Sequence, residues 1–131
     1  MERYDNIVKS SEVRKLVEKR MYQQALEIMD TMDIDRIKVL TDLSVFAEVY
    51  IQTERYVDAK DILLRIKEKS NSRRVIYQLI RLAVKMKDVE DAEDYYDEYV
   101  EVAPKDSDKY ILRYRIDKMK GEDIQVLIKS L

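Results

Sequence analysis

The chain has no cysteine, no histidine and no tryptophan, and it carries one glycine and one proline in 131 residues. Each absence removes chemistry. Without cysteine there are no disulfides, no thiolate catalysis and no zinc–thiolate site. Without histidine the commonest general base and the commonest metal ligand are missing. A single glycine cannot build a phosphate-cradling loop or a dinucleotide fingerprint. Long hydrophobic runs are also missing. The longest uncharged stretches, such as Val75 to Ile80, span six residues, too few for a membrane segment. Met1 to Lys9 carries charges and leads into no apolar stretch of the signal-peptide kind.

What remains is a helix-forming composition. Charged residues make up 40% and hydrophobic ones 46%, with few breakers between them. The net charge is -2 and the pI is near 5.4, so no global field draws the chain to nucleic acid or to an anionic membrane. The length suits one domain over residues 1–131, large enough to bury a core without staples. Lack of cysteine fits a reducing compartment, which predicts a cytoplasmic protein.

A repeat runs along the chain. Met21-Tyr22-Gln23-Gln24-Ala25, Arg55-Tyr56-Val57-Asp58-Ala59 and Asp88-Val89-Glu90-Asp91-Ala92 share one pattern. In each, an apolar or tyrosine residue stands three before an alanine, after a charged turn. The alanines are 34 and 33 residues apart. An apolar helical ladder follows each of them: Ile28, Met29 and Met32; Ile62, Leu63 and Ile66; Tyr95, Tyr96 and Tyr99. Another helical stretch precedes each, with Val13, Leu16 and Val17; Leu43, Phe46, Ala47 and Tyr50; Ile76, Leu79, Ile80 and Ala83. The unit is therefore helix, turn, helix, turn, and a fixed period of this size marks stacked helical pairs. Alanine at the crossing lets two antiparallel helices approach closely without glycine's helix cost.

With Ala25, Ala59 and Ala92 at the family's small-residue position, the chain resembles the tetratricopeptide repeat family over residues 6 to 106. Tyr22, Tyr56 and Val89 precede those alanines at the matching place. Tyr50 and Ala47 fall on first-helix signature positions, and Pro104 falls on the closing proline. Lys9, Leu43 and Ile76 stand where the family has tryptophan, and Met32, Ile66 and Tyr99 replace a later alanine. The resemblance implies an all-α, right-handed α–α superhelix of antiparallel pairs. Its repeats are 6–39, 40–72 and 73–106, with a partial one at 107–131, about three and a half in all. In that last segment Tyr110 to Met119 reads as another first helix, with Tyr110, Ile111, Tyr114 and Met119 its apolar residues and Asp117 falling on a core position of the repeat frame. Gly121 is expected to turn the chain into a further helix with Ile124, Val126, Leu127 and Ile128. The apolar stop at Leu131 is read as the cut end of a longer protein, in preference to an end buried by self-association.

The charges are segregated. Residues 73 to 87 hold five cations and no acid, and residues 88 to 103 hold eight acids and no base. In the resembled fold, first helices line a concave groove. That places Arg74, Tyr77, Arg81 and Lys85 in it, joined by Arg115 and Lys118 from the fourth unit and Arg14 from the first. Arginine gives bidentate bonds to carboxylates and tyrosine an amphipathic anchor. The expected partner is thus a peptide or helix of another protein, acidic in character. Oppositely charged neighbouring helices also steer their own pairing, at roughly 0 to 1 kcal/mol per exposed pair.

The expected function is a non-catalytic scaffold or adaptor. No enzyme activity, small-molecule substrate, cofactor or metal site is expected: Glu-x-x-His pairs are impossible here, and the acids lie in helices rather than in a glycine-bearing calcium loop. Self-association through the last helix is the alternative. A reader of single-stranded RNA ranks below it, because the pI is acidic and the groove is mixed in sign.

Overall fold

The computed structural model describes residues 2–130, and the side chains of all of these but 2–4, 123, 124, 126 and 127. Among the described residues there are seven α-helices and no strand. They are α1 (Glu2–Glu18), α2 (Tyr22–Met29), α3 (Leu40–Gln52), α4 (Tyr56–Lys69), α5 (Arg73–Lys85), α6 (Val89–Val102) and α7 (Asp108–Lys129), with one 3-10 turn at Ile34–Arg36. The chain divides into two compact units, Met1–Lys69 with α1 to α4 and Ser70–Leu131 with α5 to α7.

Three helical pairs, α1–α2, α3–α4 and α5–α6, close through the same turn. Arg20, Glu54 and Lys87 adopt the left-handed conformation, with φ of 58°, 62° and 57°. Their amides donate to the carbonyls of Val17, Ile51 and Val84 at 2.9, 3.2 and 3.1 Å. The next amides, of Met21, Arg55 and Asp88, donate to Leu16, Tyr50 and Ala83 at 2.8, 2.7 and 2.9 Å. This two-bond arrangement satisfies the last carbonyls of the first helix and usually takes glycine. Here three charged residues adopt it, against a cost of about 1–2 kcal/mol each for a side-chain-bearing residue.

The same turn starts the second helix. The carbonyls of Met21, Arg55 and Asp88 accept from the amides of Ala25, Ala59 and Ala92 at 3.1, 3.0 and 3.0 Å. All three alanines are completely buried. A fixed two-residue link thus sets each buried alanine one helical turn past the bend, where a small side chain lets two packed helices approach closely. At the middle pair the turn is reinforced. Arg55 reaches Asp58 at 2.8 Å and Asp30 at 3.0 Å, and its guanidinium lies 5.2 Å from the Tyr50 ring centre.

In the first unit the core is built from Val13, Met29, Leu43, Phe46, Ile62 and Leu63. Helix α2 ends at Met29, short of Met32, and an extended stretch with the 3-10 turn leads to α3. Arg65 of α4 fastens that stretch by donating to the carbonyls of Ile37 at 2.7 Å and of Ile34 and Asp35 at 3.3 Å. In the second unit α7 packs on both α5 and α6. Ile76, Leu79, Ile80, Leu82, Ala92 and Tyr99 are buried together with Leu112, Ile116 and Met119.

The last segment differs from the sequence expectation in two ways. Gly121 makes no turn: it lies inside the 22-residue α7 without positive φ. Helix formers flank it and no proline follows, so the helix runs through at a local cost of about 1 kcal/mol. The inward face is also shifted. Leu112, Ile116 and Met119, spaced i, i+4, i+7, are buried, while Tyr110, Ile111 and Tyr114 are exposed. Among the other apolar residues of that segment, Ile128 is exposed. The side chains of Ile124, Val126 and Leu127, and all of Leu131, lie outside the described residues.

These backbone features set a stability test. Lys87→Gly or Glu54→Gly is expected to stabilise the chain by about 0.5–1 kcal/mol, because glycine adopts positive φ without strain. Gly121→Ala is expected to stabilise by a similar amount, since an added Cβ there meets nothing within 4 Å. Ala59→Leu is expected to destabilise by about 1–3 kcal/mol through overpacking at the crossing. Denaturant melts of the four variants check all of this; a destabilising Lys87→Gly would contradict the turn assignment.

Candidate interaction surface

Helix α5 separates its residues cleanly. Val75, Ile76, Leu79, Ile80, Leu82 and Ala83 are buried. Arg74, Gln78, Arg81 and Lys85 follow an i, i+4, i+7, i+11 stripe on the opposite side, where Arg74 and Lys85 are exposed and Arg81 is half-buried. Tyr77 flanks the stripe, half-buried, its ring 6.3 Å from that of Tyr99 at 54°. It therefore presents one edge outward while the other packs on α6. Burial, with the Asp108 carboxylate nearby, pushes the Tyr99 hydroxyl above its ordinary range.

Arg115 and Lys118 are exposed on α7. Arg113 and Lys120 lie about 200° away around the helix, two residues from each, and both reach Glu93 on α6. Arg113 donates two bonds to Glu93 at 2.8 and 2.6 Å, bonds Asp117 as well, and stacks 4.8 Å from the Tyr96 ring centre. Lys120 meets Glu93 at 3.0 Å. One flank of α7 is thus tied to α6, and Arg115 and Lys118 occupy the flank turned from it. Within this unit Arg74, Tyr77, Arg81 and Lys85 share the outer side of α5, and Arg115 and Lys118 lie on α7. Arg14 belongs to the first unit, where it is bonded to Asp42 in the first turn of α3.

The arginines sort by use. Arg14, Arg36, Arg55, Arg73 and Arg113 are paired with Asp42, Asp33, Asp30 and Asp58, Asp106, and Glu93 respectively. Arg65 is spent on backbone carbonyls. Among the described residues, Arg74, Arg81, Lys85, Arg115 and Lys118 have no acid partner. Lys87, Lys105 and Lys129 of the same unit have none either; the α5 stripe gathers three such cations, Arg74, Arg81 and Lys85, on one helix face.

Helix α6 carries the opposite sign. Glu90, Asp94, Asp97 and Glu101 are exposed and stand i, i+4, i+7, i+11 apart, opposite the buried Ala92 and Tyr99. Two features were not singled out from the sequence. One is the exposed Tyr110, Ile111 and Tyr114 on α7; the signal was the aliphatic i, i+4, i+7 set Leu112, Ile116 and Met119, better suited to the core than tyrosines. The other is a cavity of about 510 Å3 in the first unit, lined by Ile7, Ser10, Ile37, Lys38, Val39 and Asp42 among others. Its residues are scattered and of ordinary type, so no spacing marks it.

Among the described residues no group of three or more histidine, cysteine or acidic side chains could hold a metal ion, and no helix is long and apolar enough to cross a membrane. No protein-family model, no curated protein and no solved structure matches the chain.

The Glu93 cluster gives a pH test. The Arg113 guanidinium, aided by Lys120 and opposed by desolvation, holds the Glu93 carboxyl down to about 2 from the usual 4.5. The unfolded chain takes up the proton first as pH falls. The stabilisation is complete above pH 4.5 and disappears toward pH 2. Partial exposure reduces its size to about 1–2 kcal/mol. Glu93→Gln is expected to lose that amount at neutral pH and to flatten the acid limb of stability, measured by urea unfolding across pH. An unchanged acid limb would remove Glu93 from this role.

Proposed function

We propose that the chain is a non-catalytic, tetratricopeptide-like helical repeat module. On this reading it holds an acidic helix or peptide of another protein against the basic face of α5 and α7. The observation that carries the reading is the sorting of cations. The arginines that fasten helices to one another have partners, while Arg74, Arg81 and Lys85 on the outer stripe of α5, and Arg115 and Lys118 on α7, have none. Exposed charges of one sign gathered on a face raise the local concentration of the opposite charge and speed encounter. Arginine's planar fork adds bidentate recognition of carboxylates.

Three further points support it. The helical pairs recur with one turn geometry and one buried alanine, as a repeat module requires. Tyr77 and the exposed Tyr114 put aromatic surface beside the cations, the combination enriched where interfaces concentrate their energy. The residue types present lack histidine and cysteine, which leaves the surface as the working part. The absence of cysteine fits a reducing compartment, and this reading places the module in the cytoplasm.

A synthetic amphipathic helix with glutamates at i, i+4 and i+7 tests this by fluorescence anisotropy. Binding is expected to fall at least about tenfold in the Arg74→Glu/Arg81→Glu variant and to weaken with salt. Equal binding by the variant, or none by the wild type at low salt, overturns the reading.

A further inference from the structure

We infer that the basic face of α5 and the acidic face of α6 are complementary docking surfaces, so that the chain binds a second copy of itself head to tail. The inference rests on the basic face being a docking surface and names one occupant for it: the outer face of α6 in another copy. Three observations on the second unit lead there.

The first is matched spacing. The α5 stripe is Arg74, Gln78, Arg81 and Lys85; the α6 stripe is Glu90, Asp94, Asp97 and Glu101. Both follow i, i+4, i+7, i+11. That series reads the same in either direction, so the stripes can be laid together parallel or antiparallel with cation meeting acid at three of the four positions and Gln78 meeting an acid at the other. Each spans roughly 16 Å of helix at about 1.5 Å per residue.

The second is that these charges are left over. None of Arg74, Arg81, Lys85, Glu90, Asp94, Asp97 and Glu101 has an oppositely charged partner among the described residues. The charges of the same helices that lie off the stripes are used: Arg73 bonds Asp106, Glu93 bonds Arg113 and Lys120, and Glu98 accepts from Asn71 at 3.1 Å. Solvated surfaces usually intersperse the two signs. Here each stripe is of one sign.

The third is position along the helices. Cations weaken a helix at its N-terminus and acids weaken one at its C-terminus, by about 0.3–1 kcal/mol each. Arg74 stands in the first turn of α5, which holds no acid, and Glu101 in the last turn of α6, which holds no base. Local helix stability favours neither residue. Both extend their stripe to its full length.

Because the two stripes are different surfaces, the contact is heterologous and leaves a free face at each end. It produces open chains rather than a closed dimer. Ion pairs supply the attraction, so the association is salt-sensitive.

Sedimentation across a concentration series at low and high salt tests this. Wild type is expected to show a mass that climbs with concentration past the dimer at low salt and returns to the monomer at high salt. The Arg74→Glu/Arg81→Glu variant and an Asp97→Lys/Glu101→Lys variant are each expected to associate at least about tenfold more weakly alone. Mixing the two is expected to restore association, since the reversed faces are again opposite. That rescue cannot come from misfolding. A wild type that stays monomeric at low salt overturns the inference. If it still binds the acidic helix peptide, the proposed function stands without it; if it does not, both fail. Association that ignores salt and both reversals also overturns the inference and moves the contact elsewhere, with Tyr110 and Tyr114 the first surface to mutate.

Discussion

Everything in the fold depends on how each helical pair is closed. Two hydrogen bonds across a left-handed residue end the first helix, and the following residue opens the second. This link has no spare length. It fixes the register of one helix on the other and sets a buried alanine at the crossing in α2, α4 and α6. Larger apolar residues then complete the contact: Phe46 and Leu63 in the middle pair, Ile76, Leu79 and Tyr99 in the third. The turn positions themselves are tolerant. Arg20, Glu54 and Lys87 differ in sign and shape yet take nearly one φ, so the backbone geometry is imposed by the packing on either side rather than chosen by the turn residue.

Once the pairs are fixed, charge divides into two tasks. Some charged groups act inside a unit. Arg65 satisfies three carbonyls of the stretch before α3, and Arg113 with Lys120 fastens α7 to α6 through Glu93. These contacts compensate places where regular packing stops: a helix that ends early at Met29 and a last helix with no following partner among the described residues. Others lie on outer stripes: Arg74, Arg81 and Lys85 on α5, and Glu90, Asp94, Asp97 and Glu101 on α6. Because the sign changes between Lys87 and Asp88, within the α5–α6 turn, the turn itself delivers one sign to each helix.

Much of the fold was legible because it rests on periodicity. The alanines at 25, 59 and 92 and the ladders around them named the pairs, and Leu43, Phe46, Ile76, Leu79 and Ile80 are buried as their spacing required. Two local features escaped for physical reasons. Gly121 looked like a turn because glycine permits one, but permission is not requirement, and its neighbours favour helix. In α7 tyrosines and aliphatic residues alternate closely enough for two registers, and burial went to the set without hydroxyls, since a buried phenol needs a partner. The basic stripe could be read from spacing alone. Its isolation from acids could not, because Arg73 and Arg74 are adjacent and identical in type, and only the position of Asp106 separates a paired arginine from an unpaired one.

The two departures from local preference on this chain are of different kinds. The left-handed charged residues recur with the repeat and carry signs plus, minus and plus, so their charge has no common task and only their conformation repeats. Arg74 and Glu101 recur with nothing. Each opposes the dipole of its own helix, and each carries the sign of the stripe it ends. A helix selected for its own stability would place them the other way round, as Lys85 at the end of α5 and Glu90 at the start of α6 already are. A stripe that holds one sign through both the favourable and the unfavourable end is organised at the level of the surface. The docking proposed for these faces accounts for that level of organisation; the stability of the helix beneath does not.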